Sequence, residues 1–155
     1  MTLESKNGKA AKEKVLFLCT HNSARSQMAE GLLRAMYGDR YDAYSAGLKA
    51  TSVDPRAALV MKEIGIDISG QRSKAMEEYQ GVLFDLAVTV CDRAKDACPL
   101  CGTALRPRPK TPSAKETVHK SFEDPALAGG FEEKQLSKFR QVRDEIKEWI
   151  AQRFG

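Results

Sequence analysis

No apolar run in the 155 residues approaches the ~18 that a membrane-crossing helix requires, so a membrane span is not expected. The opening residues, MTLESKNGKA, are polar and lack the apolar core of a secretory signal, which makes the cytoplasm the expected compartment. Aromatic residues are few, at 7%, and none falls in the one segment rich in cations. That segment, Lys95 to Lys120, holds six Lys/Arg against two acids and so accounts for the whole net charge of +4. Nucleic-acid binders spread cations along a helix face or interleave them with aromatics, so a nucleic-acid partner is not expected either. There is no internal repeat and no second domain, and the length suits one core. Nothing in the pattern demands an obligate dimer, so a monomer is expected.

What remains points to an α/β chain. Residues 1–13 read as a disordered tail and 14–155 as one domain. "KVLFLC" is a short continuous apolar run that fits a buried parallel strand. A helix follows from about Ala24 to Tyr37, with Met28, Leu32, Ala35 and Met36 as its stripe. Tyr41 to Gly47 predicts a second strand. Asp54 is placed to cap a helix that has Pro55 at its first position and Ala58, Leu59, Met61 and Ile64 facing inward, with a stop at Gly65. Leu83 to Cys91 predicts a third strand and "TVHKSF" a fourth. Leu136, Phe139, Val142, Ile146, Trp149 and Ile150 recur at three- and four-residue steps and predict a final helix. Strands alternating with helices imply a single-domain, four-stranded parallel sheet with helices on both faces.

The chemistry concentrates at "CTHNSARS", Cys19 to Ser26. The end of a parallel strand entering a helix is where open α/β sheets bind ligands. The first helical N–H groups have no internal partners, and the helix dipole favours negative charge there. A tight loop of Thr20, His21, Asn22, Ser23 and Ala24 turns successive N–H groups inward as an anion nest. Arg25 adds a planar fork for two oxygens of a tetrahedral oxyanion. Cys19 stands at the rim of this positive field, which favours its thiolate, and Ser26 offers the sulfur a further hydrogen bond.

C-x5-R-S resembles the phosphate-binding loop of the low-molecular-weight protein tyrosine phosphatase fold. In that family the loop works with a late Asp-Pro whose Asp is the general acid, here Asp124 with Pro125 in "FEDPA". "CTHNSARSQMAEG", "YSAG", "MKEIGIDIS", the step of seven from Cys91 to Cys98 and "FRQVRDEIK" resemble, more narrowly, the thioredoxin-coupled arsenate reductases. The resemblance implies that Cys19 attacks arsenate, that Cys91 attacks Cys19 and releases arsenite, and that Cys98 takes over the disulfide for reduction by thioredoxin. It implies no cofactor. Arsenate, phosphate and sulfate are all tetrahedral oxyanions that such a nest accepts. A phosphatase of this fold has no use for Cys91 and Cys98, and Ala126 stands where tyrosine phosphatases carry an aromatic. A phosphatase, or a non-catalytic relative that senses oxyanions or redox state, is the alternative reading.

Three features depart from the resemblance. Cys101 forms C-x2-C with Cys98, so either is available as the last resolving thiol. Zinc ribbons carry two such pairs and one is present, so no metal is expected there. A basic, Pro-rich insertion occupies about 102–115, placed either to steer anions and an acidic partner or simply as a surface loop. Some relatives bind a monovalent cation behind the loop. Asn22, Glu30 and Ser45 match that site, but a lysine, Lys74, stands at its carboxylate position, and its ammonium is expected to take the place of the ion.

Overall fold

The computed structural model describes residues 11–92 and 112–155. Four strands form one parallel sheet: β1 (Glu13–Cys19), β2 (Tyr41–Gly47), β3 (Leu83–Thr89) and β4 (Ser113–His119), in the spatial order β2-β1-β3-β4. Among the described residues three α-helices accompany them: α1 (Arg25–Tyr37), α2 (Pro55–Glu63) and α3 (Glu132–Phe154). Val15, Leu16, Phe17 and Leu18 are all fully buried, as a central parallel strand covered on two faces requires. Val15 and Phe17 join one core with Met28 and Leu32 of α1, Val60 and Met61 of α2, and Phe139, Val142 and Ile146 of α3. Leu16 and Leu18 join a second, smaller core with Phe84 and Met76. Among the described residues the three α-helices thus share one face. The other is closed by a 3-10 turn, Met76–Tyr79, whose Tyr79 ring meets Phe84 and Tyr44 edge-on.

The second helix starts where the sequence places it, because Oδ1 of Asp54 accepts from the backbone N–H of Arg56 (2.9 Å) and Pro55 needs no donor. Its inward stripe is Ala57, Val60 and Met61, while Leu59 is exposed. In α1, Ala29 and Leu33 are buried and Ala35 is exposed. The final helix buries the stripe that its periodicity predicts, with Trp149 half-buried. The fourth strand begins four residues earlier than expected, at Ser113, so residues 113–115 belong to the sheet rather than to the insertion. As an edge strand it is polar and largely exposed, and it lacks the alternation that marks a buried one. Residues 1–10 and the insertion up to residue 111 lie outside the described residues.

The parallel register aligns the strand ends along one edge. Cys19 pairs with Gly47, Leu18 with Thr89, and Thr89 with His119. Among the described residues, Cys19, Arg25, Cys91 and Asp124 gather at or beyond this edge.

Candidate active site

The loop after β1 closes around the sulfur of Cys19. Asn22 has φ +53°, a left-handed conformation that asparagine tolerates better than most residues. This turns its backbone N–H onto Sγ of Cys19 at 3.2 Å. The Nδ2 of Asn22 donates to Oγ of Ser26 (2.8 Å), leaving the Ser26 hydroxyl hydrogen free to point at Sγ, also 2.8 Å away. No side chain caps α1 and no acid occupies its first turn, so its N-terminal dipole faces the same space uncompensated. Ala24 is buried at the helix start. Thr20 and Ser23 are partly exposed and His21 is exposed. These three carbonyls accept from the backbone of Lys49 (2.9 Å), Asp54 (2.8 Å) and Thr51 (3.3 Å) respectively for Thr20, Ser23 and His21, and Oγ of Ser73 also donates to His21 (2.9 Å).

A buried polar frame lies behind the loop. The second Nδ2 hydrogen of Asn22 goes to Oγ of Ser45 (2.9 Å), and Ser45 donates to the Glu30 carboxylate. Oδ1 of Asn22 accepts from Nε2 of Gln27 (2.8 Å) and from the backbone N–H of Lys74 (2.8 Å). Asn22, Ser26, Gln27 and Ser45 are fully buried, and Glu30 is 5% exposed. Nζ of Lys74 lies 3.7 Å from Glu30 Oε1 and donates to the carbonyl of Arg72 (2.7 Å). Burial pushes the Lys74 ammonium below its usual pKa, and the charge of Glu30 pulls it back up. The lysine thus sets its amino group beside Glu30 inside the frame, at the position where the sequence sets a lysine in place of a carboxylate. Gly47 admits this packing: a Cβ there would stand 2.8 Å from the Asn22 nitrogen and 2.9 Å from the Thr20 carbonyl oxygen.

Two further groups reach the rim. Arg25 donates from NH1 to the carbonyl of Phe122 (3.2 Å), and its NH2 lies 3.5 Å from Oδ2 of Asp124. The other Asp124 oxygen caps the 3-10 turn at Pro125 by accepting from Ala126 N–H (3.0 Å). Beyond β3, Sγ of Cys91 lies 3.4 Å from Oγ1 of Thr20, the residue next to Cys19. Both Cys19 and Cys91 are buried. One edge of the sheet thus holds a cradled sulfur, a guanidinium, a carboxyl group and a second sulfur.

A family model described as low molecular weight phosphotyrosine protein phosphatase matches residues 14–154. The chain belongs to this phosphatase family. Within it, the chain is 49% identical over 135 residues to an arsenate reductase of Halalkalibacterium halodurans, covering 87% of this chain and 90% of the relative. It is 44% identical to an arsenate reductase of Bacillus subtilis, covering 85% and 88%. A solved structure described as "An arsenate reductase in the phosphate binding state" superposes with a TM-score of 0.69 at 34% identity, over 90% of this chain and 95% of that one.

Of the positions singled out in the sequence, the structure gathers Cys19, Thr20, Asn22, Arg25, Ser26, Cys91 and Asp124 at one place. Cys98 and Cys101 lie outside the described residues. Gln27 and Ser73 escaped the sequence reading. Gln27 sits on the inner side of α1, where a polar residue carries no motif, and its role appears only once Asn22 and Arg72 are seen to converge on it.

Proposed function

We propose that the chain reduces arsenate to arsenite. The observation that carries this reading is the second thiol: Cys91 lies against Thr20, beside the loop that cradles Cys19. A phosphatase cycle needs one nucleophile, whereas a two-electron reduction by thiols needs two. Arsenate enters the nest of N–H groups and takes donors from the Arg25 fork. Arg25 and Asp124 pair with each other, so an anion that engages the guanidinium loosens its hold on Asp124. Cys19 sulfur attacks arsenic, and Asp124 protonates the departing oxygen, which leaves as water or hydroxide. Cys91 thiolate then attacks Cys19 sulfur. The S–S bond forms, the S–As bond breaks, and its electron pair stays on arsenic, which leaves as arsenite. Two sulfurs are oxidised and arsenic gains two electrons. Cys98 or Cys101 next attacks Cys91, which frees Cys19 and moves the disulfide outward to thioredoxin.

The phosphatase reading keeps one support, the family itself, because the same nest accepts phosphate. A single assay separates the two. The protein is incubated with arsenate, thioredoxin, thioredoxin reductase and NADPH, and in parallel with a phosphotyrosine peptide. The expected result is NADPH oxidation that requires arsenate, with phosphate protecting Cys19 from alkylation. Phosphate release from the peptide with no arsenate-dependent NADPH oxidation would overturn the reductase reading. Oxyanion binding with neither turnover would identify a sensing relative.

A further inference from the structure

The strand that delivers Cys91 ends in a polar cluster that the chemistry above does not use. Thr89 closes β3 and is 1% exposed. Its Oγ1 lies 2.8 Å from Nδ1 of His119, its register partner at the end of β4. The other ring nitrogen, Nε2, lies 3.0 Å from Oδ1 of Asp92. An ionised carboxylate only accepts, so Nε2 carries the hydrogen and donates to it. Nδ1 then accepts from the Thr89 hydroxyl while the ring is neutral. When the ring is protonated, Nδ1 donates to Thr89, whose own hydrogen has the Val118 carbonyl at 3.5 Å. The ring is satisfied in either state.

Asp92 follows Cys91 directly, and its side chain is 78% exposed. A carboxylate so exposed has water available as a partner, and holding one rotamer against a ring costs it conformational freedom. The clasp therefore demands a use. Its geometry supplies one, because the imidazole ties Thr89, two residues before Cys91, to Asp92, one residue after it. Sheet pairing fixes the main chain up to this point. Val90 N–H donates to the Leu18 carbonyl (2.9 Å), and Phe122 N–H donates to the Val90 carbonyl (3.0 Å). The His119–Asp92 contact extends that anchorage past the cysteine itself.

We propose that His119 and Asp92 are positioning residues for the second thiol. They hold Cys91 beside the oxyanion loop for its attack on Cys19. This rests on the reductase reading, in which that attack forms the S–S bond and expels arsenite. Reaction between two held sulfurs depends steeply on their approach, and a misplacement of about 1 Å costs on the order of 100-fold. Neither residue touches the oxyanion nest, so anion binding and the attack of Cys19 lie outside the influence of the clasp.

The test is a single turnover with arsenate and no thioredoxin, quenched in time and read as arsenite released per protein. Asp92→Ala and His119→Ala each slow release by about 10-fold or more. The Asp92→Ala/His119→Ala pair is no slower than the worse single change, because both break one link. Asp92→Asn, whose amide oxygen still accepts from Nε2–H, restores release to within about threefold of the unsubstituted protein. Phosphate protection of Cys19 against alkylation, read on each variant, stays unchanged. Asp92 is exposed, so its substitution tests the clasp even where His119→Ala impairs folding. Release at the unsubstituted rate in Asp92→Ala overturns the clasp alone. So does a matching loss of phosphate protection, which would mark general damage to the site. Absence of arsenite from the unsubstituted protein overturns the reductase reading and the clasp with it.

Discussion

An asparagine amide has two hydrogens to give and one oxygen with two lone pairs, and Asn22 uses all four. Its hydrogens go to Ser26 and Ser45, and its oxygen takes Gln27 and the Lys74 backbone. The partners are buried, so none can turn to water instead. Asn22→Ala removes the amide and leaves several groups orphaned, each at about 1–3 kcal/mol. It also places alanine at φ +53°, which costs roughly 1 kcal/mol more. The expected outcome is a loss of at least ~3 kcal/mol in urea unfolding, with phosphate protection of Cys19 weakened about tenfold or more. Unchanged protection at reduced stability would show that the frame braces the fold and not the nest. At this scale the sequence was informative where a motif names its residues. Cys19, Asn22, Arg25 and Ser26 carry a fixed local spacing. Gln27 and Gly47 do not, because each answers to a neighbour distant in sequence.

Between α2 and α3 the contact is held at its rim by one carboxylate. Glu63 accepts from Arg140, at 3.0 and 3.1 Å from Nε and 2.9 Å from NH2, and from NH1 of Arg143 (3.1 Å). Arg143, itself buried, also donates to the Val60 carbonyl of α2 (2.8 Å). The Arg140 hydrogen bond is the chief cause that holds Glu63 below the usual carboxylate pKa. A carboxyl depressed in the folded state stabilises above its unfolded pKa, about 4.3, and loses that contribution as pH falls through the folded value. Glu63→Gln is therefore expected to lower the urea midpoint modestly at pH 7. The gap to the unsubstituted protein closes as pH drops below the carboxylate range. A gap independent of pH would assign the loss to packing instead of charge. The elements themselves were legible in proportion to their burial. The last helix announces itself through its stripe. In α2 Met61 is buried as predicted and Ala58 and Ile64 pack against the core partly buried, but Ala57 and Val60 take the innermost places and Leu59 turns outward, a choice that periodicity in a nine-residue helix does not make alone. The edge strand β4 was set late because it has little apolar face to read.

Across the whole molecule, parallel strands bring groups together that the chain separates widely. The carboxyl ends of β1 and β3 are neighbours, so the loop after Cys19 and the residues after Thr89 share one edge. In the sequence the two cysteines stand far apart, and the sheet order sets Cys91 against Thr20, 71 positions away. The same holds for Asp124 against Arg25 and for Asp92 against His119, where no local pattern signals the meeting. In the proposed mechanism Cys19 and Cys91 act in successive steps, and substitutions separate them. Cys19→Ser removes the nucleophile, so adduct formation, arsenite release and any hydrolysis of small activated phosphate esters all fall by several orders of magnitude. Cys91→Ser keeps a hydroxyl facing Thr20 and leaves the nest intact. It is expected to retain ester hydrolysis and phosphate protection of Cys19 while losing arsenite release. Arsenite release persisting in Cys91→Ser would mean that another thiol reaches Cys19 first, and the order of the relay would have to be reversed.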